Sequence, residues 1–215
     1  MALTNLSEGQ LAASAGLRNE PVQARSTARL TALLDAAAAV VDEIGYERLT
    51  TAMVAERAGA SIGTVYRYFP DRIALLQSLA ARNYERVILR VRAALDDPSH
   101  TTWTGALSST FDVFVDAFTS EPGFSSLRTG DVLDLRPPVL PTTANSLVAA
   151  QVMDALVARF DLADTPESRV AFEAAIEATD ALVARAFARN PKGDQAFLDH
   201  GRAVVKAILA PHFGG

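Results

Sequence analysis

The chain has 215 residues, 49% hydrophobic and 21% charged, with no cysteine and a formal net charge of −5. Without cysteine it holds no disulfide framework, thiolate zinc site, iron–sulfur cluster or nucleophilic thiol. No apolar run approaches the roughly 18 residues that span a bilayer, and no charged segment followed by an apolar stretch marks a secretory signal. A soluble cytoplasmic protein without membrane contact is therefore expected, and its forty alanines favour an all-helical fold.

Residues 1–23 show no sustained periodicity and contain Gly9, Gly16 and Pro21. They read as a flexible arm, with a short helix at most over Glu8–Ala15. From Ala24, the residues Leu30, Leu33, Leu34, Ala37, Val41 and Ile44 recur every three or four positions, as on one helix face. Gly45 stands where a left-handed C-cap is wanted. Thr50 and Thr51 can cap a second helix over Ala52–Ala58, which Gly59 stops, and Ser61 can cap a third from Ile62 to about Phe69. Pro70 breaks that helix, and Asp71 caps a fourth to about Leu95, with Leu75, Leu76, Leu79, Val87 and Val91 inward. Trp103–Thr119 follows, then a short helix from Pro122 towards Arg128. The run 136–141 must be a loop, because three of its six residues are proline. Three more helices, Thr142–Phe160, Pro166–Asn190 and Asp194–His212, bring the expectation to about nine and no strand.

Charge is uneven along the chain. Residues 1–95 carry eleven Arg against nine acids, a net +2, whereas residues 96–215 carry nine basic and sixteen acidic side chains, a net −7. A weakly positive module thus precedes an acidic one. Its two short helices, joined by Gly59-Ala60-Ser61, form a helix-turn-helix, with Val54, Ala55, Ala58, Ile62 and Val65 expected as its small core. The second helix would then enter the major groove of DNA. Gly63 lets the backbone come close, and Thr64 can meet a thymine methyl or a base edge. Tyr66 and Tyr68 offer hydroxyls to phosphates, while Arg67 and Arg72 offer cations. Thr50 and Thr51 bring hydroxyls and backbone N–H groups to phosphate oxygens, and Ser61 serves as a cap or a contact. Phe69 is expected in the core.

The run Leu49-Thr50-Thr51, Val54-Ala55, Ala58-Gly59-Ala60-Ser61, Gly63-Thr64-Val65-Tyr66, Tyr68-Phe69 and Arg72 to Leu75 resembles the tetracycline-repressor (TetR) family. The resemblance covers roughly residues 25–75 and departs at Arg72, where the family usually has lysine. It implies a helix-turn-helix DNA-binding domain over 24–72, a linking helix over 71–95, and an effector-binding and dimerisation domain over 96–215. It also implies that Tyr66 contacts phosphate and that the last two long helices make a homodimer that reads a palindromic double-stranded operator.

For that interface the sequence offers Ala174 and Ala178 on one helix and Phe197, Gly201, Val204 and Ile208 on the next. A pocket for a lipophilic or aromatic effector would be lined by Trp103, Phe111, Phe114, Phe118, Phe124, Leu127, Met153, Phe172 and Ile176, with Asp180 or Thr179 as polar contacts. Enzymatic chemistry has no support. His100, His200 and His212 show no metal-ligand spacing, and no phosphate-cradling loop, nucleophile elbow or cofactor pattern is present, so no cofactor and no catalytic residue is expected. The expected function is a transcriptional repressor released by a small molecule. Two alternatives remain at this stage: an effector-independent or activating regulator, and a small-molecule binding or degrading protein with a vestigial helix-turn-helix.

Overall fold

A computed structural model describes residues 24–127 and 144–214. Among these the chain is all-helical, with eight α-helices: α1 (Ala24–Ile44), α2 (Thr51–Arg57), α3 (Ile62–Tyr68), α4 (Arg72–Asp96), α5 (Trp103–Ser120), α6 (Ala144–Phe160), α7 (Pro166–Arg189) and α8 (Gln195–Phe213). The described residues divide into two compact units, one of 24–84 with 121–127 and the other of 85–120 with 144–214. The arm 1–23 and the proline-rich loop 136–141 lie outside the described residues.

The first unit is built on α1, whose Leu33, Leu34, Ala37, Val40 and Val41 are buried. A single 3-10 turn at Tyr46–Arg48 leads to Leu49, also buried, and then to α2 and α3. The first part of α4 adds Leu75, Leu76 and Leu79 to the same core. The segment 121–127, grouped by the sequence with the acidic half, belongs to this unit. It forms successive turns rather than the helix expected from Pro122, with Phe124 N–H bonded to the Glu121 carbonyl and Leu127 N–H to that of Gly123. Gly123 fixes its position: a Cβ there would stand 3.3 Å from Val41 Cγ1. Asn83, 1% exposed, donates from Nδ2 to the Pro122 carbonyl at 3.1 Å and ties the segment to α4.

The second unit contains the long helices. A capping box starts α7: Thr165 Oγ1 accepts from Ser168 N–H, the Ser168 hydroxyl accepts from Thr165 N–H, and Pro166 occupies the first turn. α8 starts at Asp194, whose carboxylate accepts from Ala196 N–H and pairs with Arg189 Nε at 2.8 Å. The hydrogen bond to Arg189 holds the Asp194 carboxyl below the usual carboxylate range. α7 and α8 pack against each other as a helical hairpin. Phe172, Ala175, Val183 and Ala186 of α7 and Leu198, Gly201, Val205 and Leu209 of α8 are buried. Near the end of α6, the Arg159 guanidinium donates to three backbone carbonyls: Leu95 in the last turn of α4, Asp97 (2.7 Å) and His100 (2.6 Å). Of these, the Leu95 carbonyl is one that a helix end leaves without a partner. Among the described residues no helix is long and apolar enough to cross a membrane.

Candidate nucleic-acid interface

Helices of seven residues are too short to be stable alone, so their ends must be fixed by other means. Thr50 Oγ1 accepts from Met53 N–H at 3.2 Å at the start of α2. Its exit is a Schellman motif: Gly59 N–H bonds to the Glu56 carbonyl (3.1 Å) and Ala60 N–H to that of Ala55 (2.9 Å). Gly59 has φ +59°, in the left-handed region that a side chain disfavours. Ser61 Oγ then accepts from Thr64 N–H at 3.1 Å and starts α3. Asp71 Oδ1 accepts from Ala74 N–H at 2.7 Å and starts α4. The turn and the caps orient α3 against α2 through buried Val54, Ala55 and Val65.

On the outside of this frame stand Thr50, Ser61, Gly63, Tyr66 and Arg67, all exposed, with Thr51 and Thr64 half-buried. Thr51 Oγ1 donates to Tyr66 Oη at 3.3 Å, so these two candidate phosphate contacts share one patch spanning α2 and α3. Ser61 Oγ and Thr64 Oγ1 lie 2.9 Å apart. Gly63 is in helical conformation, and an added Cβ would meet only Ser61 Oγ, at 3.8 Å. Nothing in the fold requires its missing side chain. Arg57 beside the patch pairs with Glu43 at 2.5 Å, and that bond holds the Glu43 carboxyl below its usual range.

Three expectations change. Tyr68 is 3% exposed, and its hydroxyl lies 3.1 Å from Ser26 Oγ, so it seals the core rather than offering itself to a phosphate. Arg72 Nη2 donates to the Tyr46 carbonyl at 2.6 Å, which makes it a tie between α4 and the 3-10 turn. Ile62 is not core; its side chain is 43% exposed. In a seven-residue helix, spacing alone cannot separate an inward Ile62–Val65 pairing from an outward Ile62–Tyr66 one. The sequence also gave no weight to Met53, which is 40% exposed.

The expected pocket residues are only partly brought together. Phe124 and Leu127 are buried in the first unit, Leu127 within its hydrophobic core. In the second unit Phe118 stacks on Phe187 with centroids 4.7 Å apart, half-buried Phe114 meets Phe118 edge-on, and Phe118, Met153 and Phe172 are buried as packed core. Thr179 spends its hydroxyl on the Ala175 carbonyl, while Ile176 and Asp180 are half-buried. A cavity of about 150 Å³ lies between α5 and α8; of the expected residues it takes Trp103 and Phe111, joined at its rim by Arg202 and Lys206. That is smaller than an ordinary small-molecule pocket of about 300–1,000 Å³.

Of the candidate interface residues, Ala174 is exposed and Ala178, Phe197, Val204 and Ile208 are half-buried. Gly201 faces inward instead. Its Cα lies so close to the Phe111 ring that a Cβ would stand 3.1 Å from Phe111 Cζ.

Two family models match the chain: "Bacterial regulatory proteins, tetR family" over residues 33–79 and "Tetracyclin repressor-like, C-terminal domain" over residues 101–213. The chain is similar to the HTH-type transcriptional repressor KstR of Mycolicibacterium smegmatis, 45% identical over 64 residues, which are 29% of this chain and 31% of that protein. The match thus spans about a third of that relative's length. Among solved structures, a TetR-family transcriptional regulator from Streptomyces coelicolor superposes with a TM-score of 0.72 at 32% identity, covering 86% of this chain and 99% of that one. The fatty acid degradation regulator FadR from Bacillus halodurans shares the fold, with a TM-score of 0.65 at 18% identity over 84% of this chain and 94% of that one.

Proposed function

The chain belongs to the TetR family, and from that premise we propose that it is a transcriptional repressor which holds a palindromic operator as a homodimer and releases it when a small molecule binds. The observation that carries this reading is the capped pair α2–α3, which presents Thr51 and Tyr66 as one hydroxyl-bearing patch beside exposed Gly63 and Arg67. In this reading Thr50, Thr51, Tyr66 and Arg67 hold phosphates and fix the register, and Gly63 and Thr64 approach the bases. Ser61 keeps α3 in place. The helix-turn-helix domain over 24–72, in the first unit, reads DNA, and the second unit carries the effector and the partner.

Dimerisation draws support from the apolar surface of α7 and α8. Val170 is 68% exposed, Ala174 is exposed, and Phe197, Val204 and Ile208 are only half covered by their own chain. A homodimer would bury them across a two-fold axis. The effector would bind in the second unit. The cavity between α5 and α8 supports a ligand with an aromatic part over Trp103 and Phe111, although anything of drug size must enlarge it. Release then follows only if the ligand prefers one of two arrangements of the protein.

The test is capture of genomic duplexes by the purified protein, followed by titration of a recovered fragment. Tyr66→Ala should weaken binding about tenfold or more, since a hydrogen bond to a charged group contributes about 1.5–3 kcal/mol, while the sedimentation profile stays dimeric. An unchanged titration would refute the assignment of Tyr66 to the phosphate-contacting patch.

A further inference from the structure

We propose that Ile62 is a specificity-determining residue that reads thymine through its C5-methyl group, so that each operator half-site carries a thymine where α3 meets the major groove. This rests on the DNA-binding reading above and names what in the DNA is recognised.

Among the described residues of the first unit, the exposed large apolar side chains are Met53, Ile62 and Tyr66. All three fall within the helix-turn-helix. Ile62 and Tyr66 are four residues apart and share one face of α3. The unit has a well-filled interior in which Leu33, Val41, Val54, Val65 and Phe69 are fully buried, so Ile62 is outside that interior because its own helix turns it outward. Its neighbours accentuate the apolar character. Gly63 adds no polar atom and lets the backbone come near. Thr64 and Ser61 spend their hydroxyls on each other at 2.9 Å, and Ser61 Oγ also takes the Thr64 N–H. Thr64 also presents its methyl group to the outside, beside a hydroxyl partly engaged by Ser61.

An isoleucine side chain has no donor and no acceptor. In the major groove the base edges of guanine, cytosine and adenine present polar groups, whereas thymine adds a methyl. Pressed against a polar edge, Ile62 would strip water from groups it cannot satisfy. Against thymine it buries apolar surface on both sides. Burial of one methyl group is expected to strengthen binding about fourfold, and one such contact in each of two half-sites about fifteenfold.

The test begins with selection of duplexes from a random-sequence pool by the full-length protein. In the selected duplex each thymine is then replaced, one symmetric pair at a time, by deoxyuridine, which lacks only the methyl. At one position per half-site, the paired replacement should weaken binding about fifteenfold. Ile62→Ala should bind the thymine duplex more weakly, show no further loss on the uracil duplex, and keep the unfolding midpoint of the parent, because the side chain is exposed. Ile62→Val should fall between. The proposal is overturned if every uracil replacement is neutral, or if the penalty for losing the methyl is the same in Ile62→Ala as in the parent. Recovery of no duplex above a salt-matched non-specific control would instead overturn the DNA-binding reading beneath it.

Discussion

In the first unit two seven-residue helices are held by side-chain caps at Thr50 and Ser61 and by the left-handed Gly59 between them. In the second, α7 and α8 have 24 and 19 residues and hold each other along an apolar seam, α7 starting at the capping box of Thr165 and Ser168 and α8 at Asp194. The difference teaches how each unit places its working side chains. A short capped helix cannot slide, because moving it by one residue loses the cap. Tyr66, Gly63 and Ile62 therefore stand in fixed register on α3. A long helix is positioned by packing, so what matters in the second unit is volume: the ring of Phe111 against Gly201, or Phe118 on Phe187.

The contrast can be broken at several points. Phe69, fully buried at the end of α3, should cost about 3–5 kcal/mol as Phe69→Ala. Urea unfolding should report that loss, and DNA binding should disappear with it. In the second unit the sensitive change is an added carbon. Gly201→Ala would place a Cβ 3.1–3.2 Å from two atoms of the Phe111 ring; overpacking of this kind costs about 1–3 kcal/mol, of which the helix propensity of alanine returns about 1 kcal/mol. A denaturation midpoint raised by the full propensity gain would show that the Phe111 ring gives way at no cost, against the idea that volume governs this unit. The smallest effect on stability has the opposite sign. At Gly63 an added Cβ meets nothing closer than 3.8 Å, so Gly63→Ala should stabilise the free protein by about 0.5–1 kcal/mol. The same variant should lose operator affinity in a fluorescence-anisotropy titration. Equal affinity would mean that the backbone at residue 63 does not approach DNA closely.

Legibility differed for the same physical reason. The caps, the turn glycine and the buried Val54, Val65 and Phe69 lie within the 22 residues 50–71, where local chemistry fixes local geometry. Thr50, Ser61 and Asp71 were readable as caps and act as caps. Within that stretch, errors arose where one helical turn decides between inside and outside. Tyr68 turned in to meet Ser26, 42 residues earlier, and Ile62 turned out. In the second unit, Trp103 and Arg202 line one cavity from opposite ends of the unit's sequence. Aromatic content alone could not separate those two helix faces from the plain core around Met153 and Phe172. Phe124 and Leu127 were misassigned because a seven-residue run of turns carries no periodic signal of which unit it joins.

The Arg159 clamp has a consequence for the order of events during synthesis. The Leu95 carbonyl waits for a donor made 64 residues later. At about 5–20 residues per second, that interval is several seconds on the ribosome. Throughout it, the Leu95 carbonyl has only water to meet, although the Asp97 carbonyl already accepts from His100 N–H. The end of α4 is thus fixed later than α2 and α3, whose contacts are with residues already made.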